Sequence, residues 1–434
     1  MPKRTPKHVT ISFSGDMLTH FGGVSLLQAF FKKLKLRKRL QHDLRFHQRN
    51  TRYTIAEEIL SLVYPISLGL GRIETTNLLQ HNGVFQYLTG LPSYPNPTTL
   101  RRFLLRMAPL ALPKLKILHD RLLLNMIIKP EPPKRIIFDL DSTVLVLYGK
   151  QEMASVGYNP KKKGRPSYHP LLCFNGITKD FWHGEFRPGK VHTSTGTNDL
   201  LEMAFLKIPA SVKSVFIRAD KGFFDHKIIE YLESKKSLFA IVARLTKPIK
   251  RKLAGLSYRA YTSGIETADF WYQPYNWRKK YRFIIIRRPI PEDPTEQMTL
   301  FSMGKYSYQV IVTNIKLVPL SLWKFYNGRA SVELIIKELK AAYPLAKIPT
   351  KHYSANEAYF HILLFSYNLI NWFKRLCLPK EFQNMTLSTL RQRLLIIPGV
   401  LTRTGNRPVL KLPSNFLYKG TFEYAIDKIQ KLEI

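Results

Sequence analysis

The chain reads as an α/β protein with a mainly helical amino-terminal region and a β-rich insertion, and three stretches predict this. From residue 135 onward, apolar runs of strand length alternate with amphipathic helical patterns. Residues 54–107 follow a helical pattern with short breaks. The tract WYQPYNWRKKYRFIIIRRP is dense in aromatic and β-branched residues, which fit a pleated surface.

In chain order, residues 1–50 carry eleven Lys or Arg against Asp16 and Asp43, six of them within FKKLKLRKRL. PNPTTLRRFL has a Thr cap followed by a helix start and the cations Arg101 and Arg102. That pattern is similar to the second helix of a helix-turn-helix, which makes Arg101 and Arg102 candidate DNA contacts. KPEPPK, residues 129–134, holds three prolines and marks a linker, so residues 1–130 form the first region.

RIIFDLDSTVLVLY reads as a buried strand on which Asp139, Asp141 and Thr143 share one side. A buried charge is unfavourable unless it is paired or binds a metal. In NPKKKGRPSYHP, the cations Lys161, Lys162, Lys163 and Arg165 crowd a Gly/Pro turn and are candidate backbone contacts for DNA. Two strands around CFNGITKDFWHGEF, a helix near 197–206 and the strand 214–219 follow, the last ending at Asp220 before a turn. DHKIIEYLESK then reads as a helix and SLFAIVA as a strand. Asp220 and Glu333 stand more than a hundred residues apart, too far for one loop in a compact domain, so residues 244–318 are expected to be a β-rich insertion. Residues 135–243 and 319–410 make the catalytic body, and 411–434 a carboxyl-terminal tail.

YNGRASVELIIKELK carries Tyr326, Arg329, Glu333 and Lys340 at spacings of three, four and seven residues. On a helix of about 100° per residue these four fall within an arc of roughly 60°. Val332, Ile335, Ile336 and Leu339 occupy an adjacent apolar sector. Asp141, Asp220 and Glu333 together are hard oxygen donors, suited to Mg²⁺ or Mn²⁺ rather than zinc.

The spacing Y-x2-R-x3-E-x6-K resembles the signature of the DDE transposases of bacterial insertion sequences, the cut-and-paste group with a ribonuclease H-like catalytic domain. DLDST, GYNPKKKGRPSYHPLL, RPGKVHTSTGT and RADKGFF are similar to stretches of the same group, and with the signature they extend the resemblance over residues 1 to about 410. The resemblance implies a catalytic triad of Asp141, Asp220 and Glu333 holding two divalent ions, with Tyr326, Arg329 and Lys340 on DNA phosphates. Asp139 is the alternative first carboxylate, and D-S-T favours Asp141. A β-rich insertion between the second Asp and the Glu also typifies the group. Within it, Trp271, Tyr272, Tyr275, Trp277 and Tyr281 interleave with Arg278, Lys279, Lys280 and Arg282, a mixture suited to an unstacked base and its phosphates. Trp277 is the favoured DNA contact.

The implied activity is cleavage at the ends of the chain's own mobile element, then joining of the 3′-hydroxyls to target DNA, in a synaptic homodimer. A stand-alone metal-dependent nuclease and a catalytically silent transposase-derived DNA-binding protein are the other two classes. Composition points the same way: 68 basic and 30 acidic residues leave a formal charge of +38, which calls for a polyanionic partner. The 45% hydrophobic content argues against a disordered basic tail protein. Cys173 and Cys377 alone indicate neither a disulfide framework nor a zinc site. MPKRTPKHVT lacks an apolar signal region, and ANEAYFHILLFSYNLINWFKRL is broken by Glu357, His361, Asn368 and Asn371. A cytoplasmic, nucleoid-associated protein without a membrane partner is expected.

Overall fold

The computed structural model describes residues 17–48, 52–157, 159, 162–261, 264–290, 305–433 and, as backbone, 301–303; Lys161 lies outside the described residues. The chain forms two compact units, one of residues 1–103 with 373–434 and the other of residues 104–372.

The first unit is mainly helical, with helices Val24–Lys33, Leu36–Asp43, Ile55–Leu68, Gly83–Thr89 and Lys419–Lys431. A small antiparallel sheet orders Leu18–Thr19, Gly399–Thr404 and Arg407–Lys411. The basic segment resolves into an apolar and a wet face. Leu34, Leu36 and Leu40 are buried, while Arg37 reaches the Glu57 carboxylate and the Gly90 carbonyl. Thr54 and Glu57 form a capping box at the start of Ile55–Leu68, and Arg391 donates to the Ser67 and Ile66 carbonyls at its end. Residues expected as a tail fold instead: Phe422, Ala425 and Ile429 recur at helical spacing and are buried.

Helix α1 (Pro97–Ile127) contributes Leu104 onward to the second unit. Its cap is Asn96, whose Oδ1 accepts from Thr99 N at 2.8 Å, rather than a threonine, because Pro97 takes the first helical position. The division between units therefore falls within this helix. His119, on α1, rings against Phe181, Phe365 and Trp372, which explains why this half of the helix belongs here.

The second unit is built on a large mixed sheet. At its centre β1 (Arg135–Ser142) pairs antiparallel with β2 (Leu171–Asn175), which pairs antiparallel with β3 (Phe181–Glu185). On its other side β1 runs parallel to β4 (Ser214–Ala219), and β4 parallel to β5 (Leu238–Val242). Helices α2 (Thr197–Phe205) and α3 (His226–Ser234) precede β4 and β5. The tract 244–318 contributes β6 (Glu266–Tyr272), β7 (Tyr281–Pro289) and β8 (Tyr306–Thr313), and these join the large sheet. Thr313 and Val312 of β8 pair with Ala240 and Ile241 of β5, so the same sheet runs on in the order β6-β7-β8-β5-β4-β1-β2-β3. The insertion also holds a helix, Lys247–Ala254.

Helices α4 (Pro319–Asn327) and α5 (Ala330–Ala341) follow β8, and α6 (Tyr353–Cys377) is the long apolar helix. The asparagines that mark α6 as a core helix have partners in the sheet. Asn368 exchanges two hydrogen bonds of 2.8 Å with the Phe181 backbone, and Asn371 donates to Asp180. Among the described residues no helix is long and apolar enough to cross a membrane.

Candidate active site

Strands β1 and β4 fix two of the carboxylates. Their parallel register sets Asp139 opposite Arg218 and Leu140 opposite Ala219, so Asp141 and Asp220 emerge side by side at the carboxyl end of the sheet. Asp220 Oδ1 accepts from Gly222 N at 2.8 Å in a tight turn. A Cβ on Gly222 would meet Thr193 at 2.8 Å, so only glycine fits there. Ser142 N donates to Asp141 Oδ1, and the Ser142 hydroxyl meets His169 Nε2 at 3.0 Å.

The third carboxylate comes from the far side. The single helix expected from Tyr326 to Lys340 is instead two, with Gly328 and Arg329 between α4 and α5. The backbone stays right-handed, but Arg329 N bonds to Tyr326 O and Val332 N to Arg329 O, spanning three residues rather than four. The Phe325 carbonyl, which a regular helix would offer to Arg329 N, instead accepts from Gly328 N and, at 2.7 Å, from Arg218 Nη1.

Arg329 ties the three elements together. Its side chain is 5% exposed, with Nη2 3.2 Å from Asp141 Oδ2, Nη1 2.9 Å from Glu333 Oε1, and Nε and Nη2 3.4 Å from the Leu140 carbonyl. Burial disfavours its charge, but Asp141, Tyr326, Asp220 and Glu333 hold its pKa above the ordinary value. Asp141 is pushed up to about 6 by burial, with Asp220 and Glu333 repelling its charge and Arg329 opposing them. The three carboxylates thus share one electrostatic site. Among the described residues no three acidic, His or Cys side chains converge as a metal cage, and at this site the Arg329 guanidinium stands between Asp141 and Glu333.

Tyr326 is 7% exposed and sits in a cluster with Ala240, Ile284, Ile311 and Leu322; burial pushes its hydroxyl up to about 12. Lys340 Nζ donates to the Val144 carbonyl at 3.0 Å, just past β1. Asp139 takes a different role from Asp141. It is fully buried and bound by Arg218 through Nε at 2.6 Å and Nη2 at 2.7 Å.

Of the other candidate contacts, Lys162 and Arg165 lie over the exposed Tyr148 ring at 5.0 and 5.8 Å, and Lys163 is exposed. Arg101 pairs with Glu74, whereas Arg102 is exposed. Trp277 is half-buried, with its ring 5.1 Å from Phe224 and 5.2 Å from Tyr281, while Tyr275 is 90% exposed. Sequence reasoning missed Arg218 and His169. A signal for the former exists: an acid two residues before Asp141 and a base two residues before Asp220 share a strand face with them.

The whole chain, residues 1–434, matches the family model described as Transposase DDE domain group 1. No curated protein matches it. Among solved structures it is similar to the cryo-EM structure of a piggyBac transposase synaptic complex with hairpin DNA, at 12% identity and a TM-score of 0.43, over 86% of this chain and 79% of that one. The chain belongs to the DDE transposase family, domain group 1.

Proposed function

We propose that this protein cuts the ends of its own mobile element and joins the freed 3′-hydroxyls to target DNA by divalent-metal-dependent phosphoryl transfer, with Asp141, Asp220 and Glu333 as catalytic and metal-binding carboxylates. The observation that carries this reading is the buried Arg329 guanidinium, 3.2 Å from Asp141 and 2.9 Å from Glu333, with Asp220 following the strand that runs parallel beside β1. The strand order β3-β2-β1-β4-β5, antiparallel then parallel, supports a ribonuclease H-like catalytic domain.

The donor set fits Mg²⁺ or Mn²⁺: three hard carboxylates, one of them raised chiefly by burial and further by the charge of the other two, with Glu333 63% exposed beside Arg329. Two such ions would supply an activated water and neutralise charge on the displaced oxygen. Asp139 is the poorer ligand because Arg218 already engages both its oxygens. Arg329 neutralises phosphate charge beside Asp141, Lys340 holds the neighbouring backbone, and Tyr326 supports the packing of α4 beneath them.

The net charge of +38 suits double-stranded DNA, both element ends and target, and a synaptic homodimer in which each subunit acts on one end is part of the reading. An insertion-sequence origin and a nucleoid-associated location in a bacterial cytoplasm complete it. The test is cleavage of a duplex carrying the element end, in Mg²⁺, by Asp220→Asn and Glu333→Gln. Both variants should lose cleavage about 1,000-fold or more while binding the end with near wild-type affinity, since an amide cannot replace an anionic ligand. Wild-type cleavage by either would overturn the assignment.

A further inference from the structure

We propose that Asp139 and Arg218 are a positioning pair, one layer beneath the carboxylates, that seats the joint between α4 and α5 and so sets where Arg329 and Glu333 stand. As it concerns catalysis, this rests on the function proposed above.

The layering follows from strand alternation. Asp139 lies two residues before Asp141 on β1, Arg218 two before Asp220 on the adjacent parallel strand, and the two are in register. Their ion pair is bidentate, with side-chain exposures of 0% and 5%. A buried ion pair adds little net stability over an apolar replacement, so stability alone does not account for it. The third guanidinium nitrogen leaves the sheet: Nη1 binds the Phe325 carbonyl, and the guanidinium lies 5.2 Å from the Phe325 ring centre.

Two glycines make room for this arrangement. A Cβ on Gly176, after β2, would meet Arg218 Nη2 and Asp139 Oδ2 at 2.5 Å each, and a Cβ on Gly328, in the joint, would meet Arg218 Nη1 at 2.2 Å. The backbone at Gly328 is ordinary right-handed helix, so conformational freedom is not why glycine is there. Space for Arg218 is. The pair thus transmits the geometry of β1 and β4, which carry Asp141 and Asp220, to the helical joint from which Arg329 and Glu333 project.

The experiment uses the full-length chain and two readouts: amide hydrogen exchange without DNA or metal, and cleavage of an element-end duplex in Mg²⁺. Gly328→Ala, a change that ordinarily favours helix, displaces Arg218 from the joint without removing a charge. It should raise exchange over residues 326–333 above that of the rest of the sheet, leave end-binding Kd unchanged, and lower the cleavage rate constant about tenfold. Arg218→Gln, which also leaves Asp139 buried and unpaired, should lower Tm, show its largest rise in exchange over 326–333, and lower the cleavage rate constant about 100-fold. Wild-type exchange over 326–333 in Gly328→Ala overturns the proposal. So does exchange that rises evenly across the sheet in both variants, since the pair would then be sheet packing only. The exchange arm needs no activity, so a failure of the catalytic reading, seen as cleavage by Asp220→Asn, stays distinct from a failure of the positioning role.

Discussion

The Arg329 guanidinium lies 3.2 Å from the Asp141 carboxylate, and only 5% and 15% of the two side chains reach solvent. An internal cation therefore stands where, on the function proposed, a divalent ion would act. Arg329→Gln removes the competitor and a phosphate contact at once, so its two effects should run in opposite directions. Binding of Mn²⁺, followed by titration calorimetry, should tighten as the repulsion is lost. Cleavage should fall about 100-fold, as expected when a preorganised charge is removed from a reacting phosphate. Without metal the variant should be less stable by about 3 kcal/mol, the cost of leaving a buried charge unpaired. Weaker Mn²⁺ binding would contradict this account.

Asp139 and Asp141 should separate by metal specificity. Asp141→Cys is expected to be inactive in Mg²⁺ and to regain activity in Mn²⁺, because a thiolate accepts the softer ion better. Asp139→Cys should show no such preference, since its defect would be loss of the Arg218 pair. Recovery in Mn²⁺ by the Asp139 variant alone would exchange the two roles.

These contrasts also mark what the sequence could carry. Strand 214–219 and its terminal Asp220 were legible because an apolar run ending in a charge and a glycine has few other solutions. D-S-T favours Asp141 over Asp139, but the partner of Asp139 was not legible: both share a strand face, and only the register of β4 brings Arg218 beside one of them. The break at Gly328 escaped for the same reason, since helical periodicity runs through it and the interrupting group comes from a strand more than a hundred residues away. The aromatic and β-branched residue types of 266–289 match the strands found there, but the joining of β8 to β5 depends on pairing across a distance that local pattern does not encode.

Nonspecific DNA binding should weaken steeply with salt, with a log-log slope of about −0.9 per neutralised phosphate. Replacing Lys162, Lys163 and Arg165 by alanine should make that slope shallower by about two to three phosphates. The fold should tolerate it within about 0.5 kcal/mol, as the loop is exposed and its contacts are with the exposed Tyr148. Binding measured by fluorescence anisotropy from low to moderate salt gives both quantities. An unchanged slope would remove this loop from the DNA interface.

The hairpin between β6 and β7 offers two aromatic rings with different expected roles. Trp277 packs on Phe224, which ends the short turn that begins at Asp220, and on Tyr281. Trp277→Ala should therefore lower stability by about 2 kcal/mol, part of the cost of emptying a full core site, and slow first-strand nicking through a loosened Asp220 turn. Trp277→Phe should restore most of both. Tyr275, at 90% exposure beside Arg278, Lys279 and Lys280, has no packing to lose, so Tyr275→Ala should keep its Tm. It should instead weaken binding to element ends with unpaired terminal bases by about 1 to 3 kcal/mol, the contribution of one stacked base. The comparison is made by thermal unfolding, nicking rate and 2-aminopurine fluorescence at the terminal bases. If Trp277→Ala unfolds at the wild-type temperature and nicks normally while the terminal bases stay stacked, then Trp277, and not Tyr275, is the ring that meets the DNA.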